Sequence, residues 1–444
     1  MEILPLFENV ITKPDTDDSK AAASSRQFLA NLLVSIVRSR VSASQDEDGA
    51  QAILEHILMI FVRHAYFTPQ NTEKGPQPAM TPQTQDLFRN RINSCLNTLV
   101  ASQKFAAILP YSVVRQIRDA AKSEEYGKSI INIEGGLGDS VKAAFKSLKK
   151  MEKKDGNAGI DAFKLLYSMT LLQVYNGDAD AVSMLDELQF CYSKFLGDEK
   201  SNDETSDASD TLVEILLSFA SKQSQLFRRM SEQVFSAFAD KVTATGLESL
   251  TSILEAKENA AGQEEMFEKQ GDDEDEDEDM MDVDEEDSDV EVVEGDAPEG
   301  DKDDNSASSD DEEDEEEDSN GNEEAEFEAK LAEALGPHRA KSGREEANDD
   351  EESDSDMDDD EMDQVDTQLA KVFRARRDAL EQKKDKKDAK ENMVNFKNRV
   401  LDLLEIYVKK SHSSVLALDL ILPLLRLSRK SSVKQISNKA TGVL

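Results

Sequence analysis

The 444-residue sequence predicts an all-α fold, in which short helices stack along the chain and one long disordered insert interrupts them. Three observations carry that expectation. Apolar residues recur at spacings of three and four through residues 1–260 and again after 366. A sustained period-two alternation of β-branched residues occurs nowhere. Charge is placed unevenly: 271–366 holds 49 acids against 5 bases, and the rest of the chain balances to within one charge. The formal net charge of −43 therefore belongs to the insert. About 100 residues of like charge cannot bury enough apolar surface to offset their chain entropy.

The elements follow in order. Asp15-Thr16-Asp17-Asp18-Ser19 has the composition of a metal-binding turn, but it follows Lys13-Pro14 and reads as a helix N-terminal cap or loop. The first clear stripe is Phe28, Leu29, Leu32, Leu33, Ile36 and Val37, with Arg26, Arg38 and Arg40 among its polar positions. His56 and His64 stand on an apolar helix as core or edge residues rather than as ligands. The proline-rich stretch Thr68–Thr84 is a surface loop, and Thr81-Pro82 supplies the cap and first-turn proline of the next helix. That helix carries Leu87, Phe88, Ile92, Cys95, Leu96, Leu99 and Val100.

Gly127-Lys128-Ser129 matches the end of a phosphate loop, yet Lys122 occupies the position of its first glycine and no apolar strand precedes it. Ser129–Glu134 is the one fair strand candidate, and Gly135, Gly136 and Gly138 read as an interhelical loop. Further stripes run through Val141–Leu148, Phe163–Thr170, Leu185–Phe195, Leu212–Phe219, Leu226–Phe238 and Leu247–Leu254. Gly177, Gly197 and Gly246 mark helix stops or turns, and Asp198–Asp210 is a polar loop. About ten helices exceed a simple bundle, and no crisp repeat motif recurs. The expected architecture is a degenerate HEAT/armadillo-like helical solenoid.

Three segments result: helical repeats over 1–260, the acidic disordered insert over 261–365, and a basic helix with further helical repeat over 366–444. Inside the insert, Phe327, Leu331 and Leu335 are spaced as on a short helix, either docked or solvated and transient. Leu369, Val372, Phe373 and Leu380 begin the basic helix, and Met393, Phe396, Val400, Leu403, Leu404 and Tyr407 continue it. Residues 367–444 carry 18 bases and 8 acids.

The nucleic-acid-binding candidates are Arg374, Arg376, Arg377, Lys383, Lys384, Lys386, Lys387, Lys390, Lys397 and Arg399. Phosphate contacts from such a run would be salt-dependent and largely sequence-blind. The alternative is a solvated helix with internal ion pairs to Asp378, Glu381, Asp385, Asp388 and Glu391. The same run has the spacing of a bipartite nuclear-import signal. Ser288, Ser308, Ser309, Ser353 and Ser355 have acids three residues on and are phosphorylation candidates, unless serine simply populates polar disorder there. Neither a catalytic residue set, a metal-ligand spacing nor a cofactor motif is found. Cys95 and Cys191 read as buried small hydrophobes in an intracellular protein, and no apolar run is long enough to imply a membrane.

Two stretches go beyond fold class. They are Thr211–Glu258, containing TLVEILLSFASKQSQLFRRMSEQVFSAF, and Val365–Leu425, containing FKNRVLDLLEIYVKKS. Both resemble the DNA polymerase phi family, as does their order around a long acidic insert. The resemblance implies an α-solenoid of the nucleus and nucleolus and a chain that represents part of a longer protein. It also implies partners among pre-ribosomal RNA or rDNA and ribosomal or assembly proteins or transcription factors. The acidic insert adds basic proteins to that range. The implied role is a scaffold in rRNA gene transcription and large-subunit biogenesis. A transcription co-regulator that binds activators is the alternative, and the polymerase activity of the family name finds no support in the residues.

Overall fold

The computed structural model describes residues 3–43, 47–70, 75–154, 156–196, 202–266, 327, 330–331 and 359–444. The chain divides into two units, Met1–Lys257 with Asn392–Leu444, and Glu258–Glu391. In chain order the helices of the first unit are α1 (Leu4–Thr12), α2 (Ser19–Ala43), α3 (Glu47–Tyr66), α4 (Pro82–Val100), α5 (Gln103–Ala106) and α6 (Leu109–Ser123). They continue with α7 (Gly135–Met151), α8 (Ala158–Asn176), α9 (Asp180–Leu196), α10 (Asn202–Ser221), α11 (Gln225–Phe238) and α12 (Ala244–Glu255). The second unit holds α13 (Ala260–Met266) and the start of a long helix, α14 (Asp359–Lys410). From Asn392 onward α14 belongs to the first unit, with α15 (Ile421–Lys430) and α16 (Lys434–Val443).

Most helices of the first unit pack on a neighbour one to three places away in sequence, as a degenerate solenoid requires: α2 and α3 on α4, α8 on α9, α9 and α11 on α10, α15 on α16. A longer reach joins α4 to α11, where the Arg229 guanidinium donates to the Asn97 carbonyl at 3.1 Å. The all-α expectation holds. Among the described residues the extended structure is two residues in each of two strands, β1 (Phe67–Thr68) and β2 (Lys128–Ser129), paired antiparallel. Thus only Ser129 of the strand candidate is in a strand; Phe67 is held beneath Tyr126 in an edge-on ring contact beside it. Gly127 explains the false phosphate loop. Its φ is +106°, and a Cβ there would stand 2.2 Å from the Thr68 carbonyl oxygen, so the glycine admits β1.

Local chemistry sets the helix starts. Asp18 accepts from the Lys20 and Ala21 amides and opens α2, and Thr81 accepts from the Thr84 amide with Pro82 in the first turn of α4. Gly177 closes α8 in the left-handed conformation, as expected. Other expectations are corrected. The buried stripe of α2 is Ala22, Arg26, Ala30, Leu33, Val34 and Val37, whereas Phe28 is 69% exposed. Arg26 turns inward because its guanidinium donates to the Ile11 and Pro78 carbonyls, and burial lowers its pKa.

The polar stretch 202–210 is helical, not loop: Ala208 is buried and its carbonyl accepts from the Cys191 thiol, while acids near the amino end of α10 suit the helix dipole. Gly246 starts a helix rather than ending one. Its amide donates to Thr243, and a Cβ would press on Val213 and Val242. Gly135, Gly136 and Gly138 likewise form the first turn of α7, not a loop. Both cysteines are free and fully buried. Among the described residues no helix is long and apolar enough to cross a membrane.

Candidate nucleic-acid interface

A helix advances about 100° per residue, so position along α14 decides which bases share a face. Arg376, Lys383, Lys387 and Lys390 fall within about 60° of one another. Arg377 and Lys384 flank them on one side and Lys386 on the other, while Asp385 and Asp388 fall on the opposite side. Arg374 falls with those acids. Arg374, Arg376, Arg377, Lys384, Lys386 and Lys387 are exposed, and Lys383 and Lys390 are half-buried. Phe373 and Leu380, both about half exposed, interleave with the basic face. In the same unit the Arg376 guanidinium lies 4.0 Å above the Phe327 ring, and Phe327 meets Phe373 at 5.9 Å between centroids. Phe327, Lys330 and Leu331 are helical, so the island within the acidic stretch has a partner on α14. From 267 to 358 the rest of that stretch, with Ser288, Ser308, Ser309, Ser353 and Ser355, lies outside the described residues.

The structure removes Lys397 and Arg399 from the candidate surface. Lys397 is 2% exposed and its ammonium donates to the Ala256 carbonyl at 2.6 Å, beyond the end of α12. Arg399 donates to the Ala220 carbonyl at 2.8 Å and to the Lys222 carbonyl, at the end of α10. Lys410 donates to the Ser236 carbonyl and Ser411 to the Ala239 carbonyl, at the end of α11. The carboxyl-terminal half of α14 thus caps three helices at their electronegative ends, which is structural work for its bases. Asp402 completes the seam with ion pairs to Arg228 at 2.8 Å and Lys439 at 2.7 Å. Beside it, burial and the Asp402 charge raise the Glu232 pKa against the opposing pull of Arg228.

A second basic surface escapes the sequence reading. It is made by Arg118 and Lys122 of α6 with Lys142, Lys146 and Lys149 of α7. Its one sequence signal is the spacing of four and three between the α7 lysines, which sets them on one helix face. Both cysteines are inert by contrast: burial pushes each thiol up to about 12.

The model of a family described as DNA polymerase phi matches residues 1–408. The rDNA transcriptional regulator pol5 of Schizosaccharomyces pombe is 31% identical over 291 residues, covering 60% of this chain and 29% of the relative. The rDNA transcriptional regulator POL5 of Saccharomyces cerevisiae is 28% identical over 448 residues, covering 90% of this chain and 39% of the relative. Myb-binding protein 1A of Homo sapiens is 27% identical over 310 residues, covering 67% of this chain and 22% of the relative. The chain therefore spans less than two fifths of the length of these relatives. No solved structure matches.

Proposed function

The chain belongs to the DNA polymerase phi family, and from that premise we propose that it is a non-enzymatic scaffold of the nucleolus. In this reading it associates with rDNA and the pre-rRNA machinery, supporting rRNA gene transcription and large ribosomal subunit biogenesis. The observation that carries it is the exposed basic face of α14, with Phe373 and Leu380 interleaved for base contact. The names of the two yeast relatives support the rDNA part of the reading. Crosslinking followed by sequencing of bound nucleic acid tests it. The full chain should enrich rDNA or pre-rRNA, and a variant with Arg376, Lys383, Lys387 and Lys390 changed to Gln should lose that enrichment. Recovery no better than a control protein would end the proposal. A primer-extension assay on pure protein should give no template-dependent incorporation.

Within this function the acidic stretch competes with nucleic acid for α14, and the edge-on contact of Phe327 with Phe373, with Arg376 over the Phe327 ring, supports it. Phe327→Ala should then raise RNA affinity at low salt, and unchanged affinity would refute the competition. Phosphorylation at Ser288, Ser308, Ser309, Ser353 and Ser355 would add to the competing charge, or to the attraction for basic proteins; mass spectrometry of native protein reads it directly. A second reading, transcription co-regulation through activator proteins, is favoured by the name of the human relative. Nuclease-resistant co-precipitation of activators with the full chain would support it.

A further inference from the structure

We propose that the basic cleft of the first unit is a binding site for the nucleotides of a single-stranded nucleic acid, separate from α14. The cleft has a volume of about 540 Å³, within the range of sites that enclose a small organic group. Its walls are α6, α7 and the segment between β2 and α7, and Tyr175 of α8 contributes to its lining.

The lining has two chemistries. Five cations, Arg118, Lys122, Lys142, Lys146 and Lys149, face one carboxylate, Glu134. Arg118 is paired with Asp119 at 2.7 Å and Lys142 with Asp139 at 3.1 Å. Lys122, Lys146 and Lys149 hold no ion pair among the described residues, so three cations converge without compensation. A cluster of like charge around a low-dielectric recess raises the local concentration of anions. Lys142, Lys146 and Lys149 rise along α7 over about 10 Å, enough to follow more than one phosphate of a strand.

The second chemistry is apolar and flat. Phe145 and Tyr175 are almost fully buried beneath the cations, and the Arg118 guanidinium lies 4.4 Å over the Phe145 ring. Paired Arg and aromatic planes are surfaces on which nucleobases stack. A carboxylate-rich peptide would satisfy the lysines alone; a nucleotide joins an anion to a flat apolar body that lies on the outer face of the Arg118 guanidinium, whose inner face already covers Phe145 and whose side chain stays 25% exposed. Glu134, the cap residue of α7, makes no side-chain bond to the first-turn amides, so the helix dipole adds to the positive field at the cleft's edge.

The test uses the full chain with labelled oligouridine of twelve nucleotides containing 4-thiouridine, and Lys146→Ala with Lys149→Ala in one variant. Both lysines are exposed, so the fold should survive, and circular dichroism checks it. Lys150→Ala with Lys153→Ala is the control, removing equal charge from α7 and its end outside the cleft. Expected results are crosslinks on peptides containing Phe145 or Tyr175, about a tenfold loss of affinity in the first variant and little in the control. At about 0.7 per phosphate contact on a single strand, the salt slope should fall by about 1.4. Competition by uridine monophosphate would assign the site to single nucleotides; competition by the oligomer alone would assign it to a strand, and either supports a nucleotide site. Crosslinks confined to α14, equal losses in variant and control, or polyglutamate competing as well as oligouridine would overturn it.

Discussion

His64 offers a direct test of how the first unit is held together. It is 3% exposed, lies 5.4 Å from the Phe88 ring between centroids, and its Nε2 has no hydrogen-bond partner. Burial, followed by the charges of Arg63 and Arg26, lowers its pKa from 6.5 to about 3. The unfolded chain takes up a proton below pH 6.5 while the folded one stays neutral until near pH 3, so the unfolded state binds more protons in that window. Stability must therefore fall as pH falls through it. Linkage gives a loss of about 2 kcal/mol from this residue between pH 7.5 and pH 5. Urea unfolding at both pH values should show that His64→Leu loses about 2 kcal/mol less than the parent protein. Every other titrating group is common to the two proteins, so the comparison isolates the imidazole. Equal pH dependence would refute the assignment of His64 as a buried neutral group.

Three further outcomes follow from packing. Lys397→Met removes a buried charged donor from the Ala256 carbonyl and should cost about 2 kcal/mol in urea unfolding, while leaving the salt dependence of nucleic-acid binding unchanged. Gly127→Ala places a Cβ against the Thr68 carbonyl at a positive φ and should lower stability by at least ~2 kcal/mol, read as a fall in Tm. Cys95 and Cys191, with thiols pushed up to about 12, should resist a disulfide reagent at pH 8 until urea unfolds the chain. Prompt reaction of either in native protein would contradict their burial.

The parts legible in sequence were those with a local cause. Thr81-Pro82 announces α4 because cap and proline act within four residues, and Gly177 announces the end of α8 for the same reason. The phase of α2 was not legible: Arg26 looks like a surface residue until the Ile11 and Pro78 carbonyls, 15 and 52 residues away, take its hydrogens. The start of α10 has no apolar stripe, only Ala208 beneath Cys191. The basic run of α14 was visible as composition, but its division into an outward face and the capping bases Lys397 and Arg399 depends on carbonyls far back in the chain. The α6–α7 cleft was hidden because its cations come from two helices and its floor joins Phe145 of α7 to Tyr175 of α8.

The capping by α14 also bears on how the molecule reaches its fold. Lys397, Arg399, Lys410 and Ser411 meet carbonyls between 141 and 179 residues earlier. Until the ribosome has delivered α14, the ends of α10, α11 and α12 must leave these carbonyls to water. Closure entropy grows only with the logarithm of the intervening length, about 0.6 kcal/mol for each doubling, so a long insertion between α12 and α14 is cheap at equilibrium. Its burden falls on time instead: contacts this distant in sequence form late. The seam made by α14 is therefore expected to be the last part of the first unit to gain protection from hydrogen exchange during refolding.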